Sequence, residues 1–161
     1  MAVIVPEALP QGDAAQPAVQ LPVHSLIKSF WPDYYGLLGA NIHATASSIH
    51  RCWRQRSAKE HPDKGGDIER FKALATAKDV LCDMQKRAIY DDLSVLVRGG
   101  YELMSFIETH GAENELWELW QCCRTSLQDS MAFLAEKHNP VRARARLQEA
   151  QVIMDELRTL A

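Results

Sequence analysis

The sequence predicts an all-α protein: a compact four-helix domain built on an antiparallel helix pair, then a C-terminal helical hairpin. Three observations carry that expectation. Apolar residues recur at helical spacing through most of the chain beyond residue 33. Helix start and stop signals fall between those stretches, at Asp33, Gly39, Asp67, Asp83 and Asn139-Pro140. A proline and a glycine pair, Pro62 and Gly65-Gly66, mark a reversal between two of the longest helical stretches.

Residues 1–32 are rich in Pro, Ala, Gln and Val, carry few charges and show no sustained period, so they read as a flexible tail. Within the tail, Leu26, Ile27, Phe30 and Trp31 are apolar enough to dock on the adjoining helical domain. Asp33 to Gly39 reads as one short helix, capped by the acid and stopped by the glycine. Residues 45–60 form a longer helix. Ile49, Cys52, Trp53, Arg56 and Ser57 share its inward face, while Arg51, Arg54, Gln55 and Lys59 make a basic outer one.

A third helix starts after Asp67, with Phe71, Leu74, Ala75, Lys78 and Leu81 inward. Asp83 caps a fourth, Met84 to Asp91. The inferred core is Tyr35, Leu38, Ile49, Trp53, Phe71, Leu74 and Leu81. Residues 93–112 read as a connector: Val95 to Val97 extend helix four, Gly99-Gly100 break it, and Tyr101 to Glu108 form another short helix. Residues 113–161 read as the hairpin. Its first helix carries Leu116, Trp120, Cys123, Leu127, Met131 and Leu134 on one stripe. Its second starts at Asn139-Pro140 and turns Leu147, Ala150, Met154 and Leu157 inward. Trp117 and Trp120, one turn apart, are placed to pack on the first domain or on a partner.

The bulk numbers exclude several classes. With 161 residues the chain suits one domain plus extensions, or two small ones. Its net charge of −3 gives no global nucleic-acid signature, and no run approaches the ~18 apolar residues of a membrane span. The first residues lack the basic region of a secretory signal, and no arginine precedes Arg51, so an intracellular and cytoplasmic protein without organelle targeting is expected. None of Cys52, Cys82, Cys122 and Cys123 forms a Cys-x-x-Cys pair, so neither a zinc site nor any other metal or cofactor is expected. Cys52 and Cys82 read as small core residues. The vicinal Cys122-Cys123 reads as one buried thiol and one at the helix edge.

The most informative stretch is Lys59-Glu60-His61-Pro62-Asp63-Lys64-Gly65-Gly66. The proline ends the preceding helix and biases His61 away from helical geometry. An imidazole and a carboxylate are thereby presented on a loop beside a positive helix face.

In this order and on these elements, residues 33–92 resemble the J domain of DnaJ-type co-chaperones. The resemblance rests on Asp33-Tyr34-Tyr35 with Leu38-Gly39 in the first helix, and on Ile49, Trp53 and Lys59 in the second. His61-Pro62-Asp63 is the signature loop. Phe71-Lys72, Ala77 and Val80-Leu81 match the third helix, and Asp83, Gln85-Lys86-Arg87-Ala88 and Tyr90-Asp91 match the fourth. It implies a partner, a heat-shock protein 70 chaperone in its ATP state, whose ATPase the domain stimulates. The chain is then a regulator and no enzyme. His61, Pro62, Asp63, Arg51, Arg54 and Lys59 are the implied docking residues, with supporting contacts from Lys64, Phe71, Lys72, Lys86 and Arg87. No Gly/Phe-rich linker, zinc module or β-rich client region follows, as in the third class of J proteins, whose members share only the J domain. Client or site specificity is then expected from residues 113–161.

Three residues depart from the family pattern. Arg56 stands where leucine is frequent, Glu60 where an aromatic is usual, and Lys78 where tyrosine is common. Arg56 and Glu60, four apart, are expected to pair, and Lys78 to snorkel from the core edge. The departures motivate an alternative, an interaction scaffold with a weakly active or inert J fold. A nucleic-acid reading through Arg142, Arg144 and Arg146 is disfavoured, because no aromatics interleave and acids outnumber bases in the hairpin.

Overall fold

The structure, a computed structural model, describes residues 31–110 and 114–160. The expected tail lies outside the described residues except for Trp31 and Pro32. Among the described residues every regular element is helical: α1 (Tyr34–Leu38), α2 (Ala46–Ser57), a 3-10 turn (Pro62–Lys64), α3 (Ile68–Cys82), α4 (Met84–His110), α5 (Asn114–Ala135) and α6 (Pro140–Leu160).

The capping residues act where the sequence places them. Asp33 accepts from the Gly36 N–H at 2.9 Å, and Gly39 closes α1 at a φ of 66°. Asp67 accepts from the N–H groups of Glu69 and Arg70, and Asp83 from those of Gln85 and Lys86. Asn139 caps α6 through the Arg142 N–H at 3.1 Å, with Pro140 as the first helical residue. Each side chain satisfies a backbone donor that a helix start leaves without an internal partner.

Helices α2 and α3 are antiparallel. The Cys82 thiol at the end of α3 points to the Ala46 carbonyl at the start of α2, while Glu60 just beyond α2 meets Arg70 near the start of α3. Of the inferred core, Tyr35, Leu38, Ile49, Leu74 and Leu81 are buried, whereas Trp53 and Phe71 are only half-buried. Ala77 and Val80 complete the buried face of α3, in place of the expected Ala75. Lys78 does lie at the core edge. Its ammonium sits 5.3 Å from the centre of the Trp53 ring and 2.6 Å from an Asp79 oxygen.

One expectation fails. Gly99-Gly100 does not break the chain, and α4 runs unbroken for 27 residues, through what reads as a connector in sequence. Glycine costs a helix interior about 1 kcal/mol relative to alanine, so packing must offset it. At Gly100 it does: a Cβ there would fall 2.7 Å from Trp120 Cη2 and 2.8 Å from Met154 Cε. The bare backbone is what lets α5 and α6 approach. At Gly99 an added Cβ would meet only the end of the flexible Arg158 side chain, at 3.0 Å.

The hairpin forms as expected. Cys123 faces Ala150 and Ser130 faces Ala143, so α5 and α6 run antiparallel. Trp120, Cys123, Leu127, Met131 and Leu134 are buried against Ala143, Leu147, Ala150, Met154 and Leu157. Trp120 packs inward on Gly100, and Trp117 is left 38% exposed. The vicinal thiols divide as read, Cys123 buried and Cys122 exposed. The α5–α6 turn comes back to the start of α4, where His138 Nδ1 stands 3.4 Å from Lys86 Nζ. The buried residues from Tyr34 to Leu157 form one continuous core.

The two glycines should respond oppositely to substitution. Gly100→Val should lose about 1–3 kcal/mol by overpacking against Trp120 and Met154, and Gly99→Ala should gain up to about 1 kcal/mol from helix propensity. Urea denaturation followed by circular dichroism measures both; equal effects would remove the packing account of Gly100.

Stability should also fall in alkali. Burial pushes the Cys123 thiol up to about 12 and the Tyr90 phenol up to about 12, whereas in an unfolded chain they ionise near ~8.5 and ~10. Between those values the native state binds more protons than the unfolded one. Stability is therefore full below about pH 8.5 and is lost as the pH rises toward 12. Melting temperature against pH should show this decline, and Cys123→Ala should shift its onset toward the tyrosine range.

Candidate functional site

The loop between α2 and α3 is built from backbone constraints outward. Pro62 opens a single 3-10 turn, and Gly65 ends it at a φ of 79°, donating its N–H to the Pro62 carbonyl at 2.9 Å. The His61 carbonyl accepts from both Lys64 and Gly66, at 2.9 and 3.1 Å. Gly66 has its own steric reason: a Cβ there would lie 2.7 Å from Glu60 Cα and run into the Glu60 carbonyl. Proline and glycines thus hold a tight reversal in which every close approach is backbone on backbone.

His61 Nδ1 accepts from the Asp63 N–H at 3.3 Å. In the neutral ring this places the proton on Nε2. The imidazole packs edge-on against Phe71, with ring centres 5.3 Å apart. Phe71 therefore fixes the ring from α3, which explains why it is half-buried and not core. Asp63 is 88 % exposed, and its carboxylate stands 3.6 Å from His61 Nδ1, an ion pair only when the ring is doubly protonated.

Beside the loop lies the outer face of α2. Arg51 and Arg54 are exposed on it, Lys59 follows one turn later, and α2 itself contains no acidic residue. Lys64 is exposed on the 3-10 turn. Lys72 is exposed too, but paired with Glu69 at 2.8 Å. Lys59 and Lys64 sit with the loop at one end of the α2–α3 pair, whereas Arg54 lines a shallow depression with Ala46, Ser47, His50 and Cys82 toward the other end. Lys86 lies elsewhere, at the start of α4 beside His138.

Arg87 is committed inside the domain. It donates to the Ala44 and Ile42 carbonyls at 2.7 and 2.8 Å and to the Tyr35 hydroxyl at 3.0 Å. Tyr35 in turn donates to Asp91 at 2.8 Å. Tyr90 completes the knot: its hydroxyl accepts the Tyr34 N–H at 2.9 Å and donates to the Pro32 carbonyl at 2.8 Å. Its ring stacks on Trp31 and Tyr34 at 5.5 and 4.9 Å. Burial pushes the Tyr34 phenol above its usual range as well. Arg87 therefore binds α4 to α1 and to the α1–α2 loop.

The expected Arg56–Glu60 pair does not form. Glu60 Oε1 lies 3.5 Å from Arg70 Nε, across the loop. The Arg56 guanidinium instead lies over Gly39, 2.7 Å from where a Cβ would stand. Arg70 carries no motif and is visible only once α3 is folded against the end of α2. The added charge of Glu60 is thereby met by a cation at the base of the loop.

The α2–α3 pair thus presents a small polar turn beside an acid-free cationic helix. Residues 33–91 match the family model described as the DnaJ domain, and this segment of the chain is a J domain. A DnaJ protein homolog of Cucumis sativus is 48% identical over 58 residues, covering 36% of this chain and 14% of that protein. The chaperone protein dnaJ A6 of Oryza sativa subsp. japonica is 47% identical over the same length and shares. The chaperone protein DnaJ of Ehrlichia ruminantium (strain Gardel) is 49% identical over 63 residues, 37% of this chain and 16% of that protein. The chain thus spans only a small part of the length of the curated relatives it matches. No solved structure matches it. Among the described residues no helix is long and apolar enough to cross a membrane.

The two arginine clusters should differ in energetic weight. Arg87→Met strips two carbonyls of charge-assisted donors and should cost about 3 kcal/mol. Arg70→Gln breaks a partly exposed pair at 3.5 Å and should cost about 1 kcal/mol or less. Urea unfolding of the two variants tests the contrast; near-parental stability of Arg87→Met would remove its role as the tie between α1 and α4.

Proposed function

We propose that this chain is a co-chaperone: its J domain binds a heat-shock protein 70 chaperone in the ATP state and stimulates ATP hydrolysis there. The observation that carries the reading is the constrained His61-Pro62-Asp63 turn at the end of the acid-free α2 face. Arg51, Arg54 and Lys59 steer that face onto an acidic surface. Asp63, exposed and free of any cation other than a protonated His61, offers a carboxylate to a bidentate arginine contact. The Nε2–H of His61 adds one donor, and Lys64 extends the positive rim. Phe71 acts through His61 by holding the ring. The hydrolytic chemistry belongs to the partner, so this chain contributes binding and orientation only. Hairpin α5–α6 supplies the client or site specificity, and a partner there remains to be identified by what co-purifies with the chain.

Glu60 motivated the reading of an inert scaffold. Its pairing with Arg70 favours the active one, because the acid is engaged at the base of the loop and is not presented to a partner.

His61→Gln should abolish stimulation of steady-state ATP hydrolysis by a heat-shock protein 70, with the melting temperature of the chain within a few degrees of the parent. A variant that stimulates as well as the parent would sink the proposal. An intact chain that fails to bind the ATP-loaded chaperone at all would leave the scaffold reading standing.

A further inference from the structure

On the far side of the Arg87–Tyr90 knot lies a groove of about 800 Å³, between α1, the α1–α2 loop and the middle of α4. It is lined by Trp31, Ile42, Tyr90, Val95, Val97 and Arg98, with Asp33 and Asp91 at its rim. None of the docking residues named above contributes to it. Its apolar rim is open to solvent: Ile42 is 61% and Val95 68% exposed. Exposed aliphatic residues flanking a groove of this size are the pattern of a surface that something covers.

We propose that the occupant is this chain's own segment Leu26–Phe30. Trp31 carries the argument. It is the first described residue, it lines the groove, and its ring stacks on Tyr90 at 5.5 Å with an interplanar angle of 15°. The chain therefore enters the described structure from within the groove. Five extended residues reach at most ~17 Å, so Leu26, Ile27 and Phe30 cannot leave its neighbourhood. A tether that short gives an effective concentration in the ~mM range, which a free peptide from another protein must overcome. The sequence fits the surface. The stretch from Leu21 to Trp31 carries four large apolar residues near its end, Leu26, Ile27, Phe30 and Trp31, and a single fixed charge, Lys28, which suits a groove with apolar walls. Seated there, the segment straps α1 to the middle of α4.

Trypsin cleavage after Lys28, followed by mass spectrometry on the full chain, tests the seat. Docking should slow the initial cleavage about tenfold relative to a free peptide of residues 20–31, since cleavage tracks the open population. The protection should be unchanged on dilution. It should vanish in Val95→Glu, a substitution at an exposed position, and equally in Ile27→Ser with Phe30→Ser, which leaves the folded helices untouched. A parent cut as fast as the peptide would overturn the proposal. So would protection that weakens on dilution, which points to a second copy as occupant, or protection that survives both variants.

Discussion

The close approach of Trp120 and Met154 to the bare backbone at Gly100 is the contact on which the architecture turns. It requires α4 to be continuous where two consecutive glycines would permit it to break. Helix α4 thereby belongs to two packing units at once. Its first turns, through Arg87, Tyr90 and Asp91, tie down α1 and the α1–α2 loop. Its second half is the third member of a bundle with α5 and α6. Most of the stability of a helix in a protein comes from tertiary packing. Here α4 is held at both ends by different partners, and the two units share one core from Tyr34 to Leu157. Neither end can be treated as a module on a linker.

The sequence disclosed the elements that depend on local rules. Caps at Asp33, Asp67, Asp83 and Asn139, the turn at Pro62, and the stripes of α5 and α6 all arise from residues close together in the chain. What it hid depends on residues distant from one another. Gly99-Gly100 reads as a stop because, locally, glycine weakens a helix; only Trp120 and Met154 reveal why it is tolerated. Arg56 and Glu60 read as a pair because four residues separate them. Folding of α3 against α2 brings Arg70 to Glu60 and outcompetes the local partner. Phe71 reads as core and instead backs the His61 ring. The position of the loop was legible in the sequence, whereas the groups that brace it were not.

Charge segregation gives the J domain a direction. The whole chain carries a net charge of −3, yet α2 carries cations alone. A molecule with a positive face on a slightly negative body turns that face toward an acidic partner during approach, an effect that fades once salt shortens the Debye length. The internal pairing of arginines sharpens the face. Arg87 and Arg70 are engaged inside the fold or on Glu60, and Arg146 on Asp129 and Glu149. Arg51, Arg54 and Lys59 stay exposed on the surface.

The hairpin and the docking loop occupy opposite ends of the α2–α3 pair. His61 sits between the end of α2 and the start of α3. The α5–α6 turn meets Lys86, just past the end of α3. Helix α3 has 15 residues and separates the two by roughly 20 Å at 1.5 Å per residue. The hairpin therefore leaves the loop uncovered, and because α4 is unbroken it does so at a fixed angle. A co-chaperone with a flexible linker offers its client over a range of distances, at a cost in ordering entropy when both ends engage. In this chain that ordering is already supplied by the fold, so under the proposed function whatever α5 and α6 hold would meet the chaperone in one orientation.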